Sequence, residues 1–268
     1  MNFNLGLLRK YYKVKITFLG TGTSQGVPVI ACDCKICLSD DYRDKRLRTS
    51  VLIEIDNTTL VIDAGPDFRQ QMLRENVKRL DAIILTHEHK DHISGMDDVR
   101  AFNYKSQDAI DIFAEDRVQK AVKKEYSYVF AEYQYPGIPK MRLNQITDYT
   151  FKIKNISLIP LRVFHYRLPV YGFRIGDFAY ITDANYIPEE TKEKLFGIKY
   201  FVINALRKEK HISHFSLREA INIIREISPR KSFITHISHQ MGLHEEVTAT
   251  LPPEIMLAHD GLNFTCDE

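Results

Sequence analysis

The sequence predicts an α/β (α+β) protein of sheets covered by helices. Short β-branched runs recur along the chain, amphipathic helical patterns lie between them, and the composition is that of a globular protein. Hydrophobic residues make up 44% and charged residues 27% of 268, with 12 Gly and 10 Pro spread along the chain, which excludes disordered, collagen-like and coiled-coil architectures. With no repeat, low-complexity tract or Ser/Gly-rich linker to mark a boundary, residues 1–268 read as a single domain.

Strands are predicted at 14–19, 51–55, 60–62 and 82–85, and again at 171–175, 179–182, 200–203 and 232–235. Helices are predicted at 66–76, 116–124 and 217–227, the last opening with Ser216 as cap and Glu219 three residues on, the spacing of a capping box. Four strands stop at a polar residue: Asp63, His87, Asp183 and His236. Strand ends are rigid, which suits ligands that must converge. An aspartate there, taken alone, is more often a turn former.

Charge and hydropathy narrow the function. Lys and Arg number 37 against 35 Asp and Glu, a net charge of +2, so there is no electrostatic footprint for avid nucleic-acid or membrane binding. No apolar run reaches a membrane span, and residues 1–15 lack the apolar stretch and small-residue cleavage site of a secretory leader, so a cytoplasmic location is expected. Three of the four cysteines crowd into Cys32, Cys34 and Cys37, too close for mutual disulfides but well spaced to converge on one metal; Cys266 stands apart.

The strongest signal is Thr86-His87-Glu88-His89-Lys90-Asp91-His92. An extended strand end points His87 and His89 to one side, and the turn after it swings Asp91 and His92 alongside. Chance would place this His-x-His-x-Asp-His pattern in roughly one such chain per thousand. Imidazole with carboxylate suits zinc, manganese or iron, and four ligands this close exceed what one tetrahedral ion with an open position needs, so two metals are expected.

On this block the sequence resembles the metallo-β-lactamase superfamily of hydrolases. The resemblance implies a four-layer αββα sandwich with a dinuclear centre completed by a later His, a bridging Asp and a last His. His165, Asp183 and His236 take those places in order. His87, His89 and His165 would then bind one metal, Asp91, His92 and His236 the other, and Asp183 both. Asp91 is thereby also part of the catalytic set.

Gly20-Thr21-Gly22-Thr23-Ser24-Gln25-Gly26 comes after the first strand, but its third glycine is one residue late for a dinucleotide fingerprint and no helix pattern succeeds it. The succession of that loop, Cys32, Cys34 and Cys37, and Arg46-Leu47-Arg48-Thr49-Ser50 is similar to the PhnP-type cyclic phosphodiesterases. The resemblance implies a structural zinc held by the three cysteines and a histidine three residues beyond the last catalytic one, here His239. Three thiolates and one imidazole close a tetrahedral site and leave no place for water.

Membership of that branch would make the chain a phosphodiesterase for small cyclic phosphates such as ribose 1,2-cyclic phosphate or 2′,3′-cyclic nucleotides, acting through a hydroxide bridging two metals. It also implies an acidic histidine between the bridging Asp and the last metal histidine; His214 fits, with His211 its competitor. A tRNA 3′-end endonuclease of the same superfamily is the alternative, without the basic arm it would need, and a non-catalytic metal-binding scaffold is a further one. Arg48, Lys90 and Arg207 could meet phosphate, but such residues mostly lie on solvated faces, and none is assigned a site role. Tyr126, Tyr128, Phe130, Tyr133 and Tyr135 read as a lid, a homodimer surface or core packing.

Overall fold

Two seven-stranded sheets pack face to face. The structure, a computed structural model, describes residues 13–133 and 135–266; the stretch expected to lack a secretory leader lies, up to residue 12, outside them. Along the first half run β1 (Val14–Gly20), β2 (Ser50–Ile55), β3 (Thr58–Ile62), α1 (Phe68–Arg74), β4 (Ala82–Ile84), α2 (Lys90–Ile93), α3 (Arg100–Ser106), β5 (Ile110–Ala114), α4 (Asp116–Glu125) and β6 (Met141–Gln145). The second half carries β7 (Phe151–Ile153), β8 (Ile156–His165), β9 (Leu168–Ile175), β10 (Phe178–Ile181), α5 (Glu189–Leu195), β11 (Tyr200–Asn204), α6 (Leu217–Ile227), β12 (Lys231–Thr235), α7 (His244–Thr248) and β13 (Ile255–Leu257). A last strand, β14 (Asn263–Cys266), returns to the first sheet and pairs antiparallel with β1.

Sheet order is β14-β1-β2-β3-β4-β5-β6 and β13-β12-β11-β10-β9-β8-β7. Alternation along the central strands buries both faces. On one, Ile16, Phe18, Ile53, Leu60 and Ile84 meet Tyr171, Phe173, Val202 and Phe233 between the sheets. On the other, Leu52, Val61 and Ile83 pack under Phe68, Met72, Val118 and Val122 from the helices, while Phe201, Ile203 and Ile234 pack under Leu195, Leu217 and Ile224. This double burial is why these strands read as continuous apolar runs. The result is the four-layer αββα sandwich that the family resemblance implies.

All eight predicted strands and all three predicted helices form, with ends shifted by a few residues at most. The capping box of α6 is complete: Ser216 accepts from the Glu219 amide, and the Glu219 carboxylate accepts from the Ser216 amide. Strands β5, β6, β7, β8, β13 and β14 are not among those predicted. The aromatic stretch divides. Tyr126 is core, its hydroxyl donating to the Ile93 carbonyl at 2.8 Å and accepting from the Met96 amide at 3.2 Å, whereas Tyr128, Tyr133 and Tyr135 are exposed. No helix among the described residues is long and apolar enough to cross a membrane.

Candidate metal centre

The four polar strand ends converge where the two sheets meet. Three of them, Asp63, Asp183 and His236, have left-handed backbone with φ of 63°, 54° and 55°. Non-glycine residues adopt that region at some cost, and it turns each side chain out of its strand at once.

Asp91, His92, Asp183 and His236 form one group of ligand atoms, each within 4.8 Å of the others; His87, His89 and Asp183 form a second. Within these, His92 Nε2 lies 3.2 Å from Asp91 Oδ2 and 3.4 Å from Asp183 Oδ2, and His236 Nε2 lies 3.1 Å from Asp183 Oδ1. His87 Nε2 stands 3.0 Å from His89 Nδ1 and 3.9 Å from Asp183 Oδ2. Ligand atoms about 2.0–2.2 Å from a shared ion lie about 3–3.5 Å apart, so this spacing fits a metal. The His165 ring centre is 5.1 Å from that of His89. His165 groups with Asp183 and His214, so every residue predicted to ligate the centre is in one cluster, with Asp183 in all three groups.

Outer partners fix which nitrogen faces inward. Thr86 Oγ1 donates to Asp63 and stands 2.9 Å from His87 Nδ1; His92 Nδ1 donates to Asp63 Oδ2 at 2.7 Å; His165 Nδ1 donates to the Ser213 carbonyl at 2.8 Å. Each leaves Nε2 for the centre, the arrangement that orients metal-bound imidazoles. In the sequence Asp63 stands out only as a strand end; the partners that give it a role lie 23 and 29 residues away.

Packing at the motif is equally tight. A Cβ on Gly65 would stand 1.9 Å from the Asp91 carbonyl oxygen, and one on Gly95 1.9 Å from that of Gly65. Only glycine lets these segments touch.

Burial opposes charge on His92 and His236, yet the carboxylates Asp91 and Asp183 outweigh it: His92 is raised well above the ordinary imidazole value, and His236 is lifted to about 9. Burial would likewise raise Asp183, but His236 and His92 hold it well below the usual carboxylate range. Burial, with the His92 charge, keeps His87 low, and burial keeps His165 low, so both are neutral and ready to ligate.

His214 hangs over the cluster. Its ligand atom groups with those of His165 and Asp183, its ring stacks on His236 at 4.8 Å, and its Nδ1 is buried without a hydrogen-bond partner. Burial pushes it down to about 3. His211 stands one ring further out, 5.2 Å from His214 and in none of the ligand groups. Arg48 is paired with Asp67 at 3.0 Å, Lys90 with Glu125, and Arg207 with Gln240 at 2.8 Å.

The four residues expected to hold a structural zinc also come together. His239 Nδ1 lies 3.3, 3.4 and 3.5 Å from the sulfurs of Cys32, Cys34 and Cys37. Tetrahedral zinc with Zn–S near 2.3 Å and Zn–N near 2.0 Å places sulfur and nitrogen about 3.5 Å apart, so the donor set fits. The glycine loop reaches the same segment: Thr23 N donates to the Ile237 carbonyl at 3.1 Å and Ile237 N to that of Thr21 at 2.8 Å. His244 and His259 lie elsewhere, with His244 Nδ1 3.2 Å from the buried Arg46 guanidinium.

A two-sheet sandwich with a histidine and aspartate cluster at the strand ends defines a metallo-hydrolase of the β-lactamase class. The sequence model described as Beta-lactamase superfamily domain matches residues 58–237. A solved structure described as a new diphosphatase from the PhnP family is 36% identical, with 95% of this chain and 97% of that one covered and a TM-score of 0.89. The chain belongs to the PhnP family of the metallo-β-lactamase superfamily. It is also 40% identical over 258 residues to an octanoyltransferase of Porphyromonas gingivalis (strain ATCC BAA-308 / W83), covering 95% of this chain but only 52%, about half, of that protein. Human tRNase Z, short form, is 18% identical at a TM-score of 0.69 over 93% of this chain and 98% of its own, a likeness of fold.

Proposed function

We propose that the chain is a phosphodiesterase with two catalytic metals that hydrolyses small cyclic phosphodiesters such as ribose 1,2-cyclic phosphate or 2′,3′-cyclic nucleotides. The observation that supports this reading is the sharing of Asp183 among the ligand groups of Asp91, His92 and His236 on one side and His87, His89 and His165 on the other, where its carboxylate would serve two ions. Zinc, manganese or iron suits the imidazole and carboxylate donors. Two such ions would supply water ionised near neutral pH and neutralise charge on the phosphoryl oxygens.

The chain's own residues do the rest. His89 is exposed while Asp183 and His236 are buried, so substrate meets the centre from the His89 side. As the leaving oxygen parts from phosphorus it needs a proton, and His214, with its unpartnered Nδ1, is the donor we assign. An anionic phosphodiester beside the ring favours the protonated form that burial alone disfavours. His211 would support His214 from behind. The PhnP relative is named a diphosphatase, and attack at phosphorus is common to diphosphates and cyclic diesters. We assign the acyl transfer in the other relative's name to the half of that protein this chain does not span, because the three clustered thiols here face His239 rather than the histidine cluster.

The test is hydrolysis by metal-loaded protein of bis-p-nitrophenyl phosphate, ribose 1,2-cyclic phosphate, 2′,3′-cyclic nucleotides, a diphosphate diester, precursor tRNA and a β-lactam. Cyclic diesters should turn over and precursor tRNA should not. Protein with its histidine site filled yet inert on every phosphate ester refutes the proposal. Asp183→Ala should lose metal and activity together. His214→Ala should keep its metal and lose more kcat on alkoxide than on nitrophenolate leaving groups; equal losses argue against a proton donor.

A further inference from the structure

Between the two metal-binding histidines of the motif lies Glu88, whose Oε1 is paired with Arg117 Nη1. Arg117 sits in the first turn of α4, on the first sheet's side of the sandwich. Its second terminal nitrogen, Nη2, donates to the Pro169 carbonyl on β9 at 2.6 Å. In the β8–β9 hairpin, Pro169 pairs with Phe164 and Leu168 with His165. One guanidinium therefore spans from the loop that carries His87 and His89 to the hairpin that carries His165.

We infer that Arg117 is a positioning residue that sets the spacing of the His87, His89 and His165 imidazoles across the two sheets. The inference rests on the metal-centre reading above. The three ring centres stand 4.5 Å (His87–His89), 5.1 Å (His89–His165) and 5.8 Å (His87–His165) apart, and they come from opposite sheets. A tie between those sheets at this end decides whether the three nitrogens stay within reach of one ion. The backbone contributes a bond here as well, Tyr171 N to the Thr86 carbonyl at 3.2 Å. The side-chain tie continues behind it, with Arg117 Nη2 3.6 Å from Glu115 Oε2 and Glu115 Oε1 accepting from Arg162 Nη2 at 3.0 Å. Arginine suits the task because its planar fork offers donors in two directions at once; a lysine ammonium can keep the Glu88 pair but does not reproduce the fork.

The prediction concerns one metal of three. Chelator-competition titrations with cobalt(II) would be run on the full chain, with His89→Ala and His236→Ala marking the step that belongs to each half of the histidine site and the thiolate absorption marking the cysteine site. Arg117→Met should weaken the step that His89→Ala abolishes by about tenfold, as loss of an outer partner does, and leave the other two unchanged. Arg117→Lys should recover part of it. Activity of Arg117→Met should return at excess metal with KM unaltered, as for a residue that touches no substrate. If Arg117→Met is unfolded by circular dichroism, Glu88→Gln, which keeps the side-chain shape, should show the same selective weakening. An unmoved step, or equal weakening of all three, overturns the role of Arg117. A wild-type chain that takes up only the thiolate-bound metal overturns the metal-centre reading as well, and so is told apart.

Discussion

The Asp63 carboxylate lies directly behind the His92 imidazole, Oδ2 to Nδ1 at 2.7 Å, with both side chains wholly buried. The same carboxylate accepts from the Thr86 amide at 2.9 Å and the Thr86 hydroxyl at 2.8 Å, so it fixes the residue before His87 as well. Asp63→Asn keeps an acceptor and tolerates the left-handed backbone, but loses the charge that sharpens His92 as a ligand. It should fold and bind metal about tenfold more weakly. Asp63→Ala should cost a further ~2 kcal/mol or more of stability, because it strands buried donors on Thr86 and His92. Denaturant unfolding and metal titration of the pair check this; wild-type affinity in Asp63→Asn would remove Asp63 from the centre.

Gly65→Ala is expected to be more damaging than its size suggests. The added methyl would press on the Asp91 carbonyl, and that backbone must move to make room. Overpacking of this kind costs about 1–3 kcal/mol. Here the displaced residue is also a ligand, so the variant should show both a lower Tm and less bound metal. Full occupancy at lowered Tm would mean that the Asp91 side chain holds its place independently of its backbone.

Metal uptake should depend on pH in one direction. His236, raised from 6.5 to about 9, and His92, raised likewise, carry protons at neutral pH that a metal must displace. His87 and His165, lowered by burial, do not. Affinity at the Asp91, His92 and His236 half should therefore climb as pH rises from about 6 towards 9 and be lost on acidification. Calorimetry in buffers of different ionisation enthalpy reads the released protons directly. His236→Ala should release fewer, and an unchanged count would show that the protons come from elsewhere.

Cys34→Ser should remove one metal per chain, lower Tm and spare the ligands of the histidine site. Backbone contact with Cys37 lowers the Cys34 thiol to about 6, while burial pushes Cys37 up to about 11, so Cys34 ionises before Cys37. Zinc stoichiometry by elemental analysis settles the matter: an unchanged value means that the thiols hold no metal.

The central fold was legible because its strands are buried on both faces and so stand out as apolar runs. Most of the other strands lack that signature, and β8, though buried on both faces, has its apolar run broken by Ser157, Pro160 and Arg162. β6 is an edge strand whose Arg142, Asn144 and Gln145 are only partly buried or exposed, and β7 and β13 are three residues long. In the site, the metal motif was legible because four of its ligands are local in sequence. Asp63 and Arg117 were not assigned because their contacts are made across 23 to 52 residues and depend on how the sheets dock. The role of Gly65 is a matter of backbone proximity that a pattern of side chains does not record.

Because the last strand recrosses the molecule to lie beside the first, and the shared carboxylate of Asp183 belongs to the opposite sheet from His87, no early fragment of the nascent polypeptide contains a finished ligand set. Ion capture must come late, after distant segments have found one another. A stopped-flow metal signal during refolding would then serve as a clock for sheet docking, lagging behind the appearance of secondary structure.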